Sequence, residues 1–491
     1  MMRTTSGAVF GGLRVAPGSL PLFRQIYRTV REAILDGRLA PGTRLPSTRT
    51  LARDLCVSRT TAEEAFAQLQ AEGFVERRVG SGTYVAAIER TATPRPHGRP
   101  PRPAGPRPIS SRAAAARRHA AFPQPAPVRA FSSANPDLDA FPLGTWRAVV
   151  ARCSRRTRAG DLGSEEPAGN PLLRETIATY VTTSRGVVCT AGQVVVLTSS
   201  QQALDLIATL LLDPGDEAWL EEPGYPGARA ALLAHGARIV PVPVDTDGLD
   251  VAEGVRRSPR ARLAYTTPSH QYPLGPTLSL ERRLALLDWA RREGSWIVED
   301  DYDSEFRYEG RPLAAIQGID ENARVLYVGT FSKSLFPSLR LAYAVVPEDL
   351  VEPLVRLRGS TDGYPPSLAQ RAVSEFFADG HFGVHLRRMR ELYRERRDAL
   401  VEAAERRLAG VARLGPTEAG LHAVLHLAPG SDDRAAAERA ARHGIDTLPL
   451  ALFRHDGSSG AGLFLGYAAL SAERIEEGMR GLARALGPGG S

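Results

Sequence analysis

The chain has 491 residues, 43% hydrophobic and 24% charged, which are the proportions of a globular protein long enough to need more than one core. No apolar run approaches the roughly 20 residues that span a bilayer. The N-terminal "MMRTTSGAVFGGLRVAPGSLP" has no long apolar segment with a small-residue cleavage site, so neither a membrane anchor nor a secretory signal is expected. Three scattered cysteines, Cys56, Cys153 and Cys189, exclude a disulfide framework or a cysteine-cluster metal site and suit a reducing cytoplasm. The net charge of +7 hints at a polyanionic partner.

Composition divides the chain. Residues 1–20 read as a tail and residues 21–87 as a helical unit ending in a hairpin. In "LPLFRQIYRTVREAILDGRL", Leu22, Ile26, Val30 and Ile34 recur at helical spacing. Ser47 is placed to cap a short helix carrying Leu51, Ala52 and Leu55. "CVS" makes a turn, and Ser58 caps a second helix that turns Ala62, Ala65, Phe66 and Leu69 inward. Gly73 ends it, and "FVERR" and "TYVAA" pair through "VGSG" as a wing. Residues 88–130, rich in Pro, Arg and Ala, cannot bury a core and read as an extended linker. From residue 131 to 491 apolar strands alternate with amphipathic helices, the pattern of a mostly parallel α/β sheet.

The front unit is a winged helix-turn-helix pattern. Its second helix leads with Arg59, Thr60 and Thr61, where such helices meet the major groove. Arg44, Arg49, Arg77 and Arg78 are placed for phosphates, and Gly80 and Gly82 for close approach of the wing. The competing reading is a small protein-interaction module. The stretch "GTRLPSTRTLARDLCVSRTTAEEAFAQLQAEGFVERRVGSGTYV" resembles the GntR family of bacterial regulators. That resemblance implies DNA contact by Arg44, Arg49, Ser58, Arg59, Thr60 and Gly82.

The body contains the only lysine. Of 62 lysine and arginine residues, Lys333 alone is a lysine, in "GTFSKSLFPSLR" just past the apolar strand Val325–Val328. Arginine replaces lysine in ion pairs but cannot form a Schiff base with a carbonyl cofactor. A phosphate-loop NTPase would need glycines where Tyr327 and Ser332 stand, so that reading fails. Other strand ends supply partners for an amine. Ser199, Ser200 and Gln201 begin a helix after "QVVVLT", a ready phosphate site. Tyr225 is an aromatic that can stack on a flat ring. "HQYPLG" brings His270, Gln271 and Tyr272, and "EDDYD" brings Asp300, Asp301, Tyr302 and Asp303; Arg340 adds a second phosphate clamp. Amine, phosphate cradle, stacking aromatic, carboxylate and phenol together describe a site for pyridoxal 5′-phosphate. A magnesium site at "EDDYD" is the alternative for the acids.

Residues 131–485 resemble the fold-type I, aspartate aminotransferase-like enzymes, and more closely the MocR/GabR regulators, which fuse a GntR head to such a body. The run "TSSQQALDL…EEPGYPGAR…TPSHQYPLG…EDDYDSEFRY…GTFSKSLFPSLRLAY…GYAAL" carries the likeness. It implies a body with a small C-terminal α/β subdomain, Lys333 as the Schiff-base residue and Asp300 at the pyridine nitrogen. It further implies Tyr302 at the ring hydroxyl, Tyr225 stacked on the ring, and Ser200, Gln201, Thr330 and Arg340 around the phosphate. Asp301 competes with Asp300. The sequence departs from the aminotransferases where they hold a substrate carboxylate by arginine, for "GLFLGYAAL" has Phe464 there. Arg454, in "ALFRHDG", is the candidate replacement, and the "NPxG" asparagine is replaced within "HQYPLG". The expectation is a cytoplasmic, head-to-tail homodimeric regulator with at most vestigial transaminase activity. It would bind an operator in double-stranded DNA and sense an amine, an amino acid or the cofactor itself, with targets in vitamin B6 or amine metabolism. The alternative is a working aminotransferase with an accessory DNA-binding head.

Overall fold

The structure, a computed structural model, describes residues 20–87, 105, 107–110, 114, 130–131, 134–163, 165–310, 314–455 and 460–487. The expected tail up to residue 19 and most of the expected linker lie outside the described residues. The chain divides into two units, Met1–Arg107 and Pro108–Ser491.

In the first unit, helix α1 (Leu22–Leu35) buries Ile26, Val30, Ala33 and Ile34, the face its periodicity predicts. Helices α2 (Thr48–Asp54) and α3 (Arg59–Ala71) follow. Both start at the serines expected to cap them: Thr50 N–H donates to Ser47 Oγ and Thr61 N–H to Ser58 Oγ, each at 3.1 Å. Such caps satisfy backbone donors that the first helical turn leaves free and contribute about 1 kcal/mol each. Ala62, Ala65, Phe66 and Leu69 of α3 close the core against α1. Strands β1 (Val75–Arg78) and β2 (Gly82–Val85) pair antiparallel as the wing.

The second unit is built on an eight-stranded sheet in the order β3-β10-β9-β8-β7-β4-β5-β6. Its strands are β3 (Val194–Leu197), β4 (Glu217–Glu222), β5 (Arg238–Asp245), β6 (Gly248–Leu249), β7 (Leu263–Thr266), β8 (Trp296–Asp301), β9 (Val325–Thr330) and β10 (Ala342–Val345). The five strands β5, β4, β7, β8 and β9 run parallel, while β10 is antiparallel to both its neighbours. β3, β4, β7, β8, β9 and β10 are covered nearly throughout, as the strands of a sheet with helices on both faces must be. Two apolar layers flank them, one centred on Val195, Leu220 and Val328 and the other on Val196, Tyr327 and Tyr343. Two helices begin beside this sheet and matter for the site: α4 (Ser200–Leu211) after β3, and α5 (Pro226–Ala234) after β4. A four-stranded antiparallel sheet, β11 (Ala412–Leu414), β12 (His422–Leu427), β14 (Gly462–Gly466) and β13 (Leu448–Pro449), forms the C-terminal part with a closing helix, α6 (Ala472–Leu486). No helix among the described residues is long and apolar enough to cross a membrane.

Candidate cofactor pocket and DNA-contacting surface

Parallel strands deliver their carboxyl ends to one edge of a sheet, and ligands bind beyond that edge. A cavity of about 530 Å³ lies there, lined by residues from the ends of β3, β4, β7, β8 and β9 and the loops that follow. All eight residues expected around the cofactor line it: Ser200, Gln201, Tyr225, Asp300, Tyr302, Thr330, Lys333 and Arg340.

Lys333 stands on the single helical turn Phe331–Ser334 that follows β9, a strand running two residues beyond its expected end. Its Nζ donates to the Ala134 carbonyl at 2.8 Å. Burial lowers its pKa, opposed by the charge of Asp303, so the neutral, nucleophilic amine is more accessible than in an exposed lysine. Helix α4 opens on the cavity. Ser199 caps it by accepting from Gln202 N–H at 3.1 Å, which leaves the first N–H groups of Ser200 and Gln201 for an anion. Gln201 Nε2 donates to the Gly227 carbonyl at 3.0 Å. A Cβ at Gly227 would lie 2.4 Å from the Tyr225 ring and 2.5 Å from Gln201 Oε1, so only glycine lets α5 start against both. Arg340 sits in the left-handed region (φ 54°) just past the turn Pro337–Leu339. Its side chain is exposed and has no ion-pair partner among the described residues.

The acids of "EDDYD" part company because successive strand residues face opposite ways. Asp300 faces the cavity: the Tyr265 hydroxyl donates to its Oδ2 at 2.8 Å, and its buried Oδ1 has no partner. Burial pushes this carboxyl from 3.8 to about 7, against the pull of the Tyr265 hydrogen bond. Asp301 turns away, accepting from Arg185 Nε at 2.7 Å and Tyr327 Oη at 2.6 Å. Asp303 lies beside His270 Nδ1, at 3.0 Å. The three carboxylates thus share no partner and do not converge as a magnesium site would require. Tyr302 reaches the cavity, with its hydroxyl donating to the His270 carbonyl at 3.0 Å and lying 2.9 Å from His270 Nδ1.

Sequence reasoning did not pick out Tyr265, Thr267, Ser332 or Pro337 as lining residues, and it noted Tyr272 without a role. Tyr265 and Thr267 sit at the end of β7; a phenol in an otherwise apolar and small-residue strand was the available signal. Phe464 lies in β14, fully buried and stacked on His422 with ring centres 4.5 Å apart. Arg454 does not line the cavity; its carbonyl accepts from Arg229.

On the first unit, Arg44, Arg49, Ser58, Arg59, Thr60 and Gly82 are all exposed. Arg59 leans along α3 to Glu63 at 2.8 Å, whereas Arg44 and Arg49 have no ion-pair partner among the described residues. In the wing, Gly82 has φ 115°, and a Cβ there would meet Arg44 Nε at 3.1 Å. Arg78 lies over the Tyr84 ring at 4.7 Å.

A winged-helix unit joined to a fold-type I body with such a cavity defines a class: DNA-binding transcription regulators that carry an aminotransferase-like module. Residues 22–85 match the family model of bacterial regulatory proteins, gntR family, and residues 131–482 that of aminotransferase class I and II. The chain is 41% identical to the probable rhizopine catabolism regulatory protein MocR of Rhizobium meliloti, over 95% of this chain and 94% of that one. It is 34% identical to the HTH-type transcriptional regulator TauR of Rhodobacter capsulatus, over 96% and 98%. The second unit is similar to LysN, an alpha-aminoadipate aminotransferase from Thermus thermophilus solved with N-(5′-phosphopyridoxyl)-L-leucine. The TM-score is 0.68 and the identity 30%, over 77% of this chain and 94% of that one. The chain belongs to the MocR-type regulators of the GntR family, whose bodies are class I and II aminotransferase domains.

The cofactor of this body is pyridoxal 5′-phosphate. The residues present fit it: a lysine amine, an unpartnered buried carboxylate oxygen, a helix N-terminus and a free guanidinium share one cavity.

Proposed function

We propose that Lys333 carries the cofactor covalently and that the body uses this attachment to sense a small molecule rather than to run a transamination. When bound, the cofactor supplies a carbonyl open to primary amines and a ring that withdraws electrons. Asp300 would hold the ring-nitrogen proton through its unpartnered Oδ1, and Tyr302 would face the ring hydroxyl. Tyr225 would stack on the ring. Ser200, Gln201, Thr330 and Arg340 would hold the phosphate. The observation that carries the reading is the convergence of the sole lysine and the partner-free Asp300 oxygen in one cavity of a chain that also has a DNA-binding head. Phe464, where aminotransferases place a carboxylate-binding arginine, favours sensing over turnover.

In this reading the protein works in the cytoplasm as a head-to-tail homodimer. Arg44, Arg49, Ser58, Arg59, Thr60 and Gly82 of each copy meet an operator, and an effector at Lys333 (an amine, an amino acid or the cofactor itself) biases the spacing of the two heads. The domains are 21–87 and 131–491, joined by the linker 88–130. Lys333→Arg tests the reading: the purified protein is expected to stay folded, lose the visible cofactor absorbance and bind DNA without responding to effector. Unchanged absorbance refutes it.

A further inference from the structure

We infer that the effector is a primary amine without a carboxylate, received by a neutral aromatic wall instead of an arginine. The inference rests on the cofactor reading above and narrows it.

Its first support is the distribution of positive charge. Among the described lining residues only Lys333 and Arg340 are cationic, and the cofactor claims both. Two acids stand near the reacting amine: Asp300 lines the cavity, and Asp303, almost fully buried and 3.0 Å from His270 Nδ1, acts on the charge of Lys333. Glu221 lies directly behind Thr267, whose Oγ1 donates to it at 2.7 Å. A carboxylate on the carbon next to the effector's amine would meet these acids with no facing guanidinium among the lining residues beyond the one the cofactor claims.

The second support is the wall itself. Tyr225, Tyr265, Tyr272 and Tyr302 line the cavity, and Tyr272 is the hub, edge-on to Tyr225 and Tyr302 at 5.6 Å. His422 (5.2 Å), Phe453 (5.5 Å) and Phe464 (5.7 Å) pack against Tyr272 but are buried and do not line the cavity themselves. Aromatic faces attract an ammonium and pack against C–H surface, whereas a carboxylate would find only neutral phenol donors and no guanidinium. His422 does not supply the missing cation. Its Nε2 is 3.2 Å from the Pro273 carbonyl, which can only accept, so the proton sits on Nε2 and the buried Nδ1 is a bare acceptor. Burial and the charges of His270 and Lys333 hold this ring well below its ordinary value, hence neutral.

The test is a titration of the full-length protein loaded with pyridoxal 5′-phosphate, following its visible absorbance. The ligands are pairs differing by one carboxylate: isopentylamine and leucine, 1,5-diaminopentane and lysine, 2-aminoethanol and serine. The expected result is a half-saturation at least tenfold lower for the amine in every pair whose amine shifts the band. An amino acid that binds as tightly as its amine, or a panel in which no amine shifts the band, overturns the inference. A loaded preparation with no visible band before any addition overturns the cofactor reading, and this inference with it.

Discussion

Asp300→Asn should stabilise the cofactor-free body at alkaline pH while weakening its hold on the cofactor. The folded chain keeps the Asp300 carboxyl protonated up to about pH 7, whereas the unfolded chain releases that proton near 3.8. The unfolded state therefore binds fewer protons between those values, and stability falls as pH rises through the window and stays low above it. At 1.36 kcal/mol per tenfold, the full penalty above pH 7 is about 4 kcal/mol. Asparagine keeps an acceptor for the Tyr265 hydroxyl but puts an NH₂ where Oδ1 has no partner, which costs roughly 1–2 kcal/mol. The net expectation at pH 8.5 is a gain of about 2–3 kcal/mol, shrinking to about zero at pH 5, where the penalty on the wild type is only about a third as large. Glu299 and Glu305, also raised to about 7 by burial, titrate in both proteins and drop out of the difference. Urea unfolding of both cofactor-free proteins at the two pH values measures this. A mutant less stable than wild type at pH 8.5, or a difference that does not change with pH, refutes the placement of Asp300 as a buried acid with a partner-free Oδ1.

Arg185→Met removes the guanidinium that pairs with Asp301 and also donates to Ser269 Oγ at 2.7 Å. Leaving Asp301 buried with only Tyr327 should cost about 3–5 kcal/mol of body stability; a loss under about 1 kcal/mol by urea midpoint counts against a structural role for the pair. Arg59→Ala at the leading end of α3 should weaken operator binding by about 1–3 kcal/mol without altering the cofactor absorbance, as checked by a binding titration at fixed salt. Unchanged affinity would remove α3 from the groove.

How legible each part was depended on how far apart its determinants lie along the chain. The head was legible because its signals are local. Ser47 and Ser58 sit three residues from the N–H groups they cap, and the core face of α1 follows from one repeat of apolar positions. The lone lysine pointed to the chemistry, since no arginine can replace a reacting primary amine. The ends of apolar strands pointed to the other residues that line its cavity, because a parallel sheet gathers such ends at one edge.

The choice between Asp300 and Asp301 was beyond the sequence. Neighbouring strand residues are equivalent until the two faces of the sheet acquire different company, here Tyr265 on one side and Arg185 with Tyr327 on the other. The aromatic cluster was equally hidden, for Tyr225, Tyr272, His422, Phe453 and Phe464 come from segments up to some 240 residues apart and only packing brings them together. The sequence alone showed a sole lysine just past an apolar strand and a winged-helix head on one chain, because those depend on residue type and local spacing. Only the tertiary structure decided which acid lines the cavity with that lysine and which rings pack around Tyr272, because both depend on long-range burial.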